Sequence, residues 1–234
     1  MTDGSGGGVG AGQRAAARWA GAILLAAMAA SMAAELVLLA GVASTDGGEM
    51  VRNVLAREAA YRAGAAIHML TFASDAAVAA AFYILLSPVN RGLSLLGMLL
   101  RMMDAALLTL ATAIPFVILR LAEGGGSLDA LAPAEVSALA RLLYGLQSDI
   151  MRVGWVCLGL GSAAFALVLL KSRYAPRALA LWGVVASLAL AAGPVVNMIL
   201  PGTVPMAAYM GPMFFYEVPL GLWLVLRGVR PPRA

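Results

Sequence analysis

Charged side chains inside long apolar runs are the residues of this chain best placed to do chemistry. Seven of them stand within such runs rather than in the polar stretches between them: Glu35, Asp75, Asp104, Asp149, Glu217, Arg101 and Arg152. If the runs cross a membrane, a charge near the bilayer centre costs about 2.5–3.5 kcal/mol on insertion scales. Such residues therefore pair, face a bundle interior or line a wet cavity. We expect an internal polar pocket that opens toward the outside.

The three acids without a base nearby in sequence are the first candidates for binding a proton or a cation. They are Glu35, Asp75 and Glu217. Arg101 and Arg152 would supply counter-charges. The spacing also allows a structural alternative, because Arg101–Asp104 and Asp149–Arg152 are both i,i+3 pairs that can neutralise each other on one helix face. In that case the two pairs help the helices to pack together, and none of the four side chains is free to bind a ligand.

His68 and Asn197 fall at a similar depth and complete the set of candidate ligand-binding residues. His68 is the only histidine, which excludes a bis-histidine haem and a histidine-rich zinc site within one chain. No Gly-x-Ser-x-Gly segment accompanies a serine, as a hydrolase elbow would require. The only lysine, Lys171, is expected at a helix end, which disfavours a retinal Schiff base. The sequence predicts no cofactor and no metal.

The composition is that of a membrane protein. Hydrophobic residues make up 62% of the chain and charged residues only 12%, and the mean hydropathy is +0.89. A soluble domain needs more charge to cover its surface. We predict an all-α, polytopic transmembrane bundle, with a disordered tail over 1–18 and a single six-helix membrane domain over 19–230. The predicted helices are 19–43, 62–87, 92–119, 141–170, 177–200 and 208–227.

The distribution of basic residues predicts the orientation. One set of loops and termini carries nine bases and a single acid, Asp3, whereas the opposite loops carry five bases and six acids. The positive-inside rule places the first set, with both termini, in the cytoplasm. The net charge of +4 then reflects basic loops rather than nucleic-acid binding. The expected location is the cell (inner) membrane, with lipid as the surrounding partner.

Several segments resemble one known family. They are Tyr61-Arg62-Ala63-Gly64, Asp75, the run from Phe82 to Leu93, the run from Leu100 to Ala106, Ser172–Arg177 and Glu217–Gly228. Together they resemble a bacterial membrane family catalogued as domain of unknown function 4386, and the Pro88-Val89-Asn90-Arg91 turn is the most specific piece. The resemblance implies a multi-helix membrane topology and supplies no mechanism.

Three functions remain open on the sequence. The leading hypothesis is a protein that binds or transports a small molecule or ion, with intramembrane carboxyls as proton or cation sites. The second is a structural or regulatory protein that packs against membrane partners or against further copies of itself. The third is an intramembrane enzyme that uses two carboxyls, which requires two acids within hydrogen-bonding reach and a substrate cleft.

Overall fold

The computed structural model describes residues 10–229, and these residues form an all-α fold without strands. Eight α-helices follow one another: α1 Ala11–Ala33, α2 Gly47–Ala56, α3 Glu58–Leu86, α4 Arg91–Ala111, α5 Ala113–Glu123, α6 Pro133–Ser172, α7 Arg177–Ile199 and α8 Met206–Leu226. A π-helical turn, Ala34–Leu38, continues α1, and a 3₁₀ turn, Gly126–Ala130, precedes α6. The predicted fold class is confirmed.

Six of the helical segments in the described part of the chain are long and apolar enough to cross a membrane. They are Ala11–Leu38, Glu58–Leu86, Arg91–Glu123, Pro133–Ser172, Arg177–Ile199 and Met206–Leu226. Each overlaps one of the six apolar runs that the sequence predicts as spans. The short α2 lies outside this set, and Asp46 caps it by accepting a hydrogen bond from the backbone of Glu49 at 2.6 Å.

The first helix begins earlier than the sequence predicts. Helix α1 starts at Ala11 rather than Trp19, so residues 11–18 of the expected tail are helical, and residues 1–9 lie outside the described range. Alanine has the highest intrinsic helix propensity, and Ala15, Ala16 and Ala17 extend the helix through the basic residues around them. The other end is also shifted, because the π turn stops at Leu38 and not at residue 43.

The third span is two helices and not one. Helix α4 ends at Ala111 and α5 begins at Ala113. Pro115 explains the break. It has no N–H to donate to the carbonyl of Ala111, four residues earlier, and its ring clashes with that same carbonyl. The Thr112 hydroxyl donates to the carbonyl of Thr109 at 2.6 Å, which satisfies one backbone acceptor at the break.

Helix α6 is much longer than the 141–170 segment predicted for it. Its 40 residues give about 60 Å at 1.5 Å per residue, roughly twice the ~30 Å hydrocarbon core. Pro133 occupies the first helical position, and the Glu135 carboxyl accepts a hydrogen bond from the backbone N–H of Ala132 at 2.7 Å, as the glutamate of a capping box does. A single crossing of the hydrocarbon core therefore needs only about half of the length of α6.

Backbone packing divides the chain into two compact units. The first comprises the described parts of Met1–Ala26 and Gly154–Ala234 together with Ser74–Asp104, and the second comprises Ala27–Ala73 and Ala105–Val153. The second unit has a core to which α2 contributes Met50 and Val54 and α5 contributes Ile118. The first unit contains α7, α8 and the cluster of charged residues described next.

Candidate functional site

Arg101 is the centre of a buried charged cluster in the first unit. Its side chain, on α4, is only 5% exposed. Its Nη2 donates to Oδ1 of Asp75 on α3 at 3.2 Å, and its Nη1 lies 3.6 Å from Oε1 of Glu217 on α8. Nη1 also donates to the hydroxyl of Ser162 on α6 at 3.2 Å. One guanidinium thus contacts side chains from three other membrane helices.

Glycines allow the helices to approach closely enough for these contacts. A Cβ on Gly161 of α6 would lie 2.9 Å from the carbonyl oxygen of Gly97 and 3.0 Å from Cγ of Arg101. The close approach of α4 and α6 brings the guanidinium to Ser162. A Cβ on Gly183 of α7 would lie 2.3 Å from the ring of Tyr216, so this glycine makes the space in which Tyr216 is buried beside Glu217.

Asp104 is the third carboxyl of the cluster, and it is fully buried. Neither of its carboxyl oxygens has a hydrogen-bond partner among the described residues. The i,i+3 ion pair with Arg101 that the sequence allows does not form, because the guanidinium is directed at Asp75 and Glu217 instead. The cluster thus contains three carboxyls and one guanidinium, which contacts two of them. If all four groups were ionised, the cluster would carry two negative charges in excess.

A small cavity lies against the cluster. Arg101, Ser162, Tyr216 and Glu217 supply its polar lining, and Phe82 and Phe165 are among its apolar neighbours. Its volume is about 20 Å³. A water molecule needs about 10–15 Å³ measured in the same way, whereas drug-sized ligands occupy several hundred. The cavity therefore suits a water molecule and is too small for an organic substrate.

Glu35 and His68 form a separate contact in the second unit. His68 Nε2 lies 3.7 Å from Oε1 of Glu35. The sequence predicts no partner for Glu35, because no base lies near it along the chain. The Glu35 side chain is 62% exposed and stands on the π turn at the end of the first span. Glu35 therefore lies about one helical turn from the end of its span, closer to the membrane surface than the predicted helix 19–43 implies.

The remaining candidates, Asp149, Arg152 and Asn197, make contacts with residues close to them in sequence. Arg152 Nη1 lies 2.6 Å from Oδ1 of Asp149, as the i,i+3 spacing predicts, but both side chains are substantially exposed. This pair is therefore not part of a buried cluster. Asn197 donates to the carbonyl of Val204 at 2.7 Å and accepts from its N–H at 3.0 Å, which fixes the turn between α7 and α8.

The prolines of the last two spans do not interrupt them. Helix α7 continues through Pro194, so the unwound helix of many transporters is not found here. Helix α8 continues through Pro212 and Pro219 on either side of Glu217. The indole of Trp182 donates to the carbonyl of Pro212 at 3.2 Å. Among the described residues, no group of three or more histidine, cysteine, aspartate or glutamate side chains is arranged to hold a metal ion.

A family model described as Domain of unknown function (DUF4386) matches residues 19–228. The chain belongs to this family. The DUF4386 match covers all six spans from Trp19 onward, and it includes every residue of the Arg101 cluster. Searches of the curated proteins and of the solved structures give no match.

Two members of the cluster have no clear signal in the sequence. Ser162 and Tyr216 are uncharged residues within apolar runs that contain other serines and tyrosines. Glycines at helical contacts are the one available indication, because small residues mark close helix approach in membranes. Gly161 lies next to Ser162, but the chain has 26 glycines, too many for this rule to select it.

Proposed function

We propose that this protein binds and exchanges protons within the membrane, through Asp75, Asp104 and Glu217 held around Arg101. The observation that carries the proposal is the ratio of three carboxyls to one guanidinium in a buried cluster of membrane helices. An uncompensated charge in this environment is costly. Two bound protons remove the excess charge with no further protein group, and their release on a change of conformation would couple proton movement to transport.

The size of the cavity favours a proton over a larger ligand. A site of about 20 Å³ holds water, through which a proton reaches a carboxyl. A metal ion is disfavoured because the Arg101 guanidinium occupies the position between Asp75 and Glu217, where a second cation would be repelled. The solute whose movement would be coupled to the proton is a small molecule or ion that binds elsewhere in the protein.

Infrared spectroscopy of the protein in lipid bilayers tests the proposal directly. Protonated carboxyl groups have a C=O stretch that carboxylates lack. At neutral pH the native protein should show this band, and the double variant Asp75→Asn/Glu217→Gln should lose part of it. Asp149→Asn is the matched control, since it removes an exposed aspartate from the same chain and should leave the band unchanged. A native protein without the band would refute proton binding.

Transport is tested in vesicles that contain a pH-sensitive dye. Under an imposed potassium diffusion potential, the native protein should carry protons faster than protein-free vesicles do. The double variant should lose most of this flux, about tenfold or more for essential proton-transfer groups, and Asp149→Asn should keep it. Equal fluxes in the native protein and the double variant would rule out these carboxyls as the proton path.

A structural role is the second candidate, and one observation favours it. Arg101 connects α4 to α3, α6 and α8. The small residues Gly183, Ser187 and Ala191 of α7 are buried and so provide no lipid-facing stripe for packing against a partner subunit. A purely structural cluster predicts loss of stability in the double variant with no proton flux in the native protein. The infrared band and the flux together separate the two roles.

The orientation belongs to the same proposal. We place both termini in the cytoplasm and the protein in the inner membrane of a bacterium, on the strength of the basic residues at one set of helix ends. Reporter fusions at the α6–α7 turn and at the 124–132 connection test this. An enzyme active only in the cytoplasm should work at the first position and fail at the second, and the reverse pattern would invert the topology.

A further inference from the structure

The end of the first unit at which α6 and α8 terminate carries a group of exposed bases around two aromatic residues. The indole of Trp223 donates to the carbonyl of Tyr174 at 3.1 Å. This contact joins the end of α8 to the turn between α6 and α7. The guanidinium of Arg227 lies 5.8 Å from the centre of the Trp223 ring. The two segments joined by this contact carry four exposed bases: Lys171, Arg173, Arg177 and Arg227.

Neither of these two segments contains an acid that could offset the charges. The segments 171–177 and 223–228 contain four bases and no aspartate or glutamate. The bases stand where α6 ends, α7 begins and α8 ends, which is the level at which a membrane helix meets the phospholipid headgroups. A positive site at this level complements the negative phosphates of the lipid.

Arg173 has a backbone conformation that its neighbours hold in place. Its φ is +59°, and it is the only residue other than glycine in the described chain with a positive φ. Glycine is usual at this position after a helix, because a side chain there costs about 1–2 kcal/mol. The Arg173 N–H donates to the carbonyl of Leu169 at 3.1 Å, and the Ser172 hydroxyl accepts from the N–H of Tyr174 at 3.3 Å.

The packing of the turn does not require an arginine. The side chain of Arg173 is exposed, so it fills no space in the protein that glycine would leave empty. Strained residues held in this way cluster at binding sites. We propose that the bases of the α6–α7 turn, together with Arg227, bind the phosphate of an anionic phospholipid, and that Arg173 makes this contact from its strained position.

Native mass spectrometry of the delipidated full chain tests this with phosphatidylglycerol and phosphatidylcholine as probes. The native protein should retain phosphatidylglycerol in preference. Arg173→Gln/Arg177→Gln should weaken that binding by about fivefold for each charge removed. The matched control, Arg52→Gln/Arg120→Gln, removes two exposed arginines from α2 and α5 and should change it by less than twofold. An equal loss in the control would overturn the proposal, since it would show attraction by net charge alone.

Arg173→Gly separates lipid binding from a structural role. Glycine relieves the positive φ, so this variant should unfold at a higher temperature than the native protein and still bind phosphatidylglycerol about fivefold more weakly. Unchanged lipid binding in this variant would overturn the assignment of Arg173. Millimolar inorganic phosphate should not displace the lipid. If it does, the site recognises free phosphate, and the commitment to a phospholipid is wrong.

Discussion

Arg101 and Asp104 lie one helical turn apart on α4, yet the guanidinium of Arg101 contacts Asp75 and Glu217 and leaves both oxygens of Asp104 without a hydrogen bond. The base therefore binds carboxyls on distant helices in preference to the acid on its own helix. This arrangement distributes the cluster over α3, α4 and α8 and makes Asp104 the carboxyl with the least compensation. Substitutions at the three carboxyls should therefore differ in their effect on stability.

Replacing Asp104 should be tolerated better than replacing Asp75. Asp104→Asn removes a buried carboxyl that has no partner, so the melting temperature should stay the same or rise. Asp75→Asn weakens a charge-assisted hydrogen bond of Arg101, which is worth about 1.5–3 kcal/mol, and should lower it. Thermal unfolding followed by tryptophan fluorescence in detergent measures both. A larger loss in Asp104→Asn would mean that Asp104 is a working partner of Arg101.

Removing Arg101 alone should destabilise the protein strongly. Arg101→Met leaves three buried carboxyls without a counter-charge, and breaking a buried pair from one side costs about 3–5 kcal/mol. The triple variant Arg101→Met/Asp75→Asn/Glu217→Gln should recover most of this loss, because it removes the unpaired charges as well. Chemical unfolding in mixed micelles gives the comparison. A triple variant no more stable than Arg101→Met would show that the loss of stability comes from lost packing and not from unpaired charge.

Arg101→Lys should not replace the native residue. An ammonium group is a compact point charge and lacks the planar fork of donors with which Arg101 reaches Asp75 and Ser162 from separate nitrogens. We expect a lower melting temperature and a loss of proton flux in vesicles. A lysine variant with native stability and flux would show that a positive charge alone suffices.

Two glycine substitutions of equal size should have opposite effects. Gly183→Ala brings a methyl group to about 2.3 Å from the Tyr216 ring and should destabilise the first unit by about 1–3 kcal/mol through overpacking. Gly211→Ala, on α8, has no heavy atom within 4 Å of the added carbon and should stabilise its helix by about 0.5–1 kcal/mol. Melting temperatures that move in the same direction would contradict the close packing around Tyr216.

Asn197→Ala should affect stability and leave proton binding unchanged. The substitution removes both hydrogen bonds to Val204, each worth about 0.5–1.5 kcal/mol net. The melting temperature should therefore fall while the infrared carboxyl band keeps its intensity. A reduced band at unchanged stability would return Asn197 to the set of binding residues that the sequence proposes.

The sequence predicts the number and type of the spans well, because apolar runs of about 20 residues are typical of membrane helices and rare in soluble proteins. It predicts their ends less well. The start of α6 at Pro133 lies in a segment with several polar residues, and helical structure there depends on the Glu135 cap and on packing of Ala140 into the second unit's core. The π turn at Ala34–Leu38 has no recognised sequence signal, since its hydrogen bonds differ from those of an α-helix by one residue.

The ion pairs of the site are predicted less reliably, because residue spacing on one helix does not determine contacts between helices. The i,i+3 rule predicts the Asp149–Arg152 contact correctly because both residues belong to one helix face. It is wrong for Arg101–Asp104, because the long arginine side chain reaches helices whose proximity depends on contacts such as Gly97–Gly161. Which acids share a base is thus a property of tertiary packing, and sequence spacing alone does not contain it.

The depth of Arg101 gives the cluster an electrical property. Arg101 stands ten positions after the first residue of α4, about 15 Å along the helix. If the hydrocarbon core begins at that end of α4, this distance is half of its ~30 Å thickness. A charge that travels between water and this depth crosses about half of the transmembrane voltage, worth about 1 kcal/mol per 100 mV. If protons bind at Asp75, Asp104 and Glu217 as proposed, the equilibrium constant for binding each proton would differ by about fivefold between an energised and a depolarised cell. The pH on either side need not change.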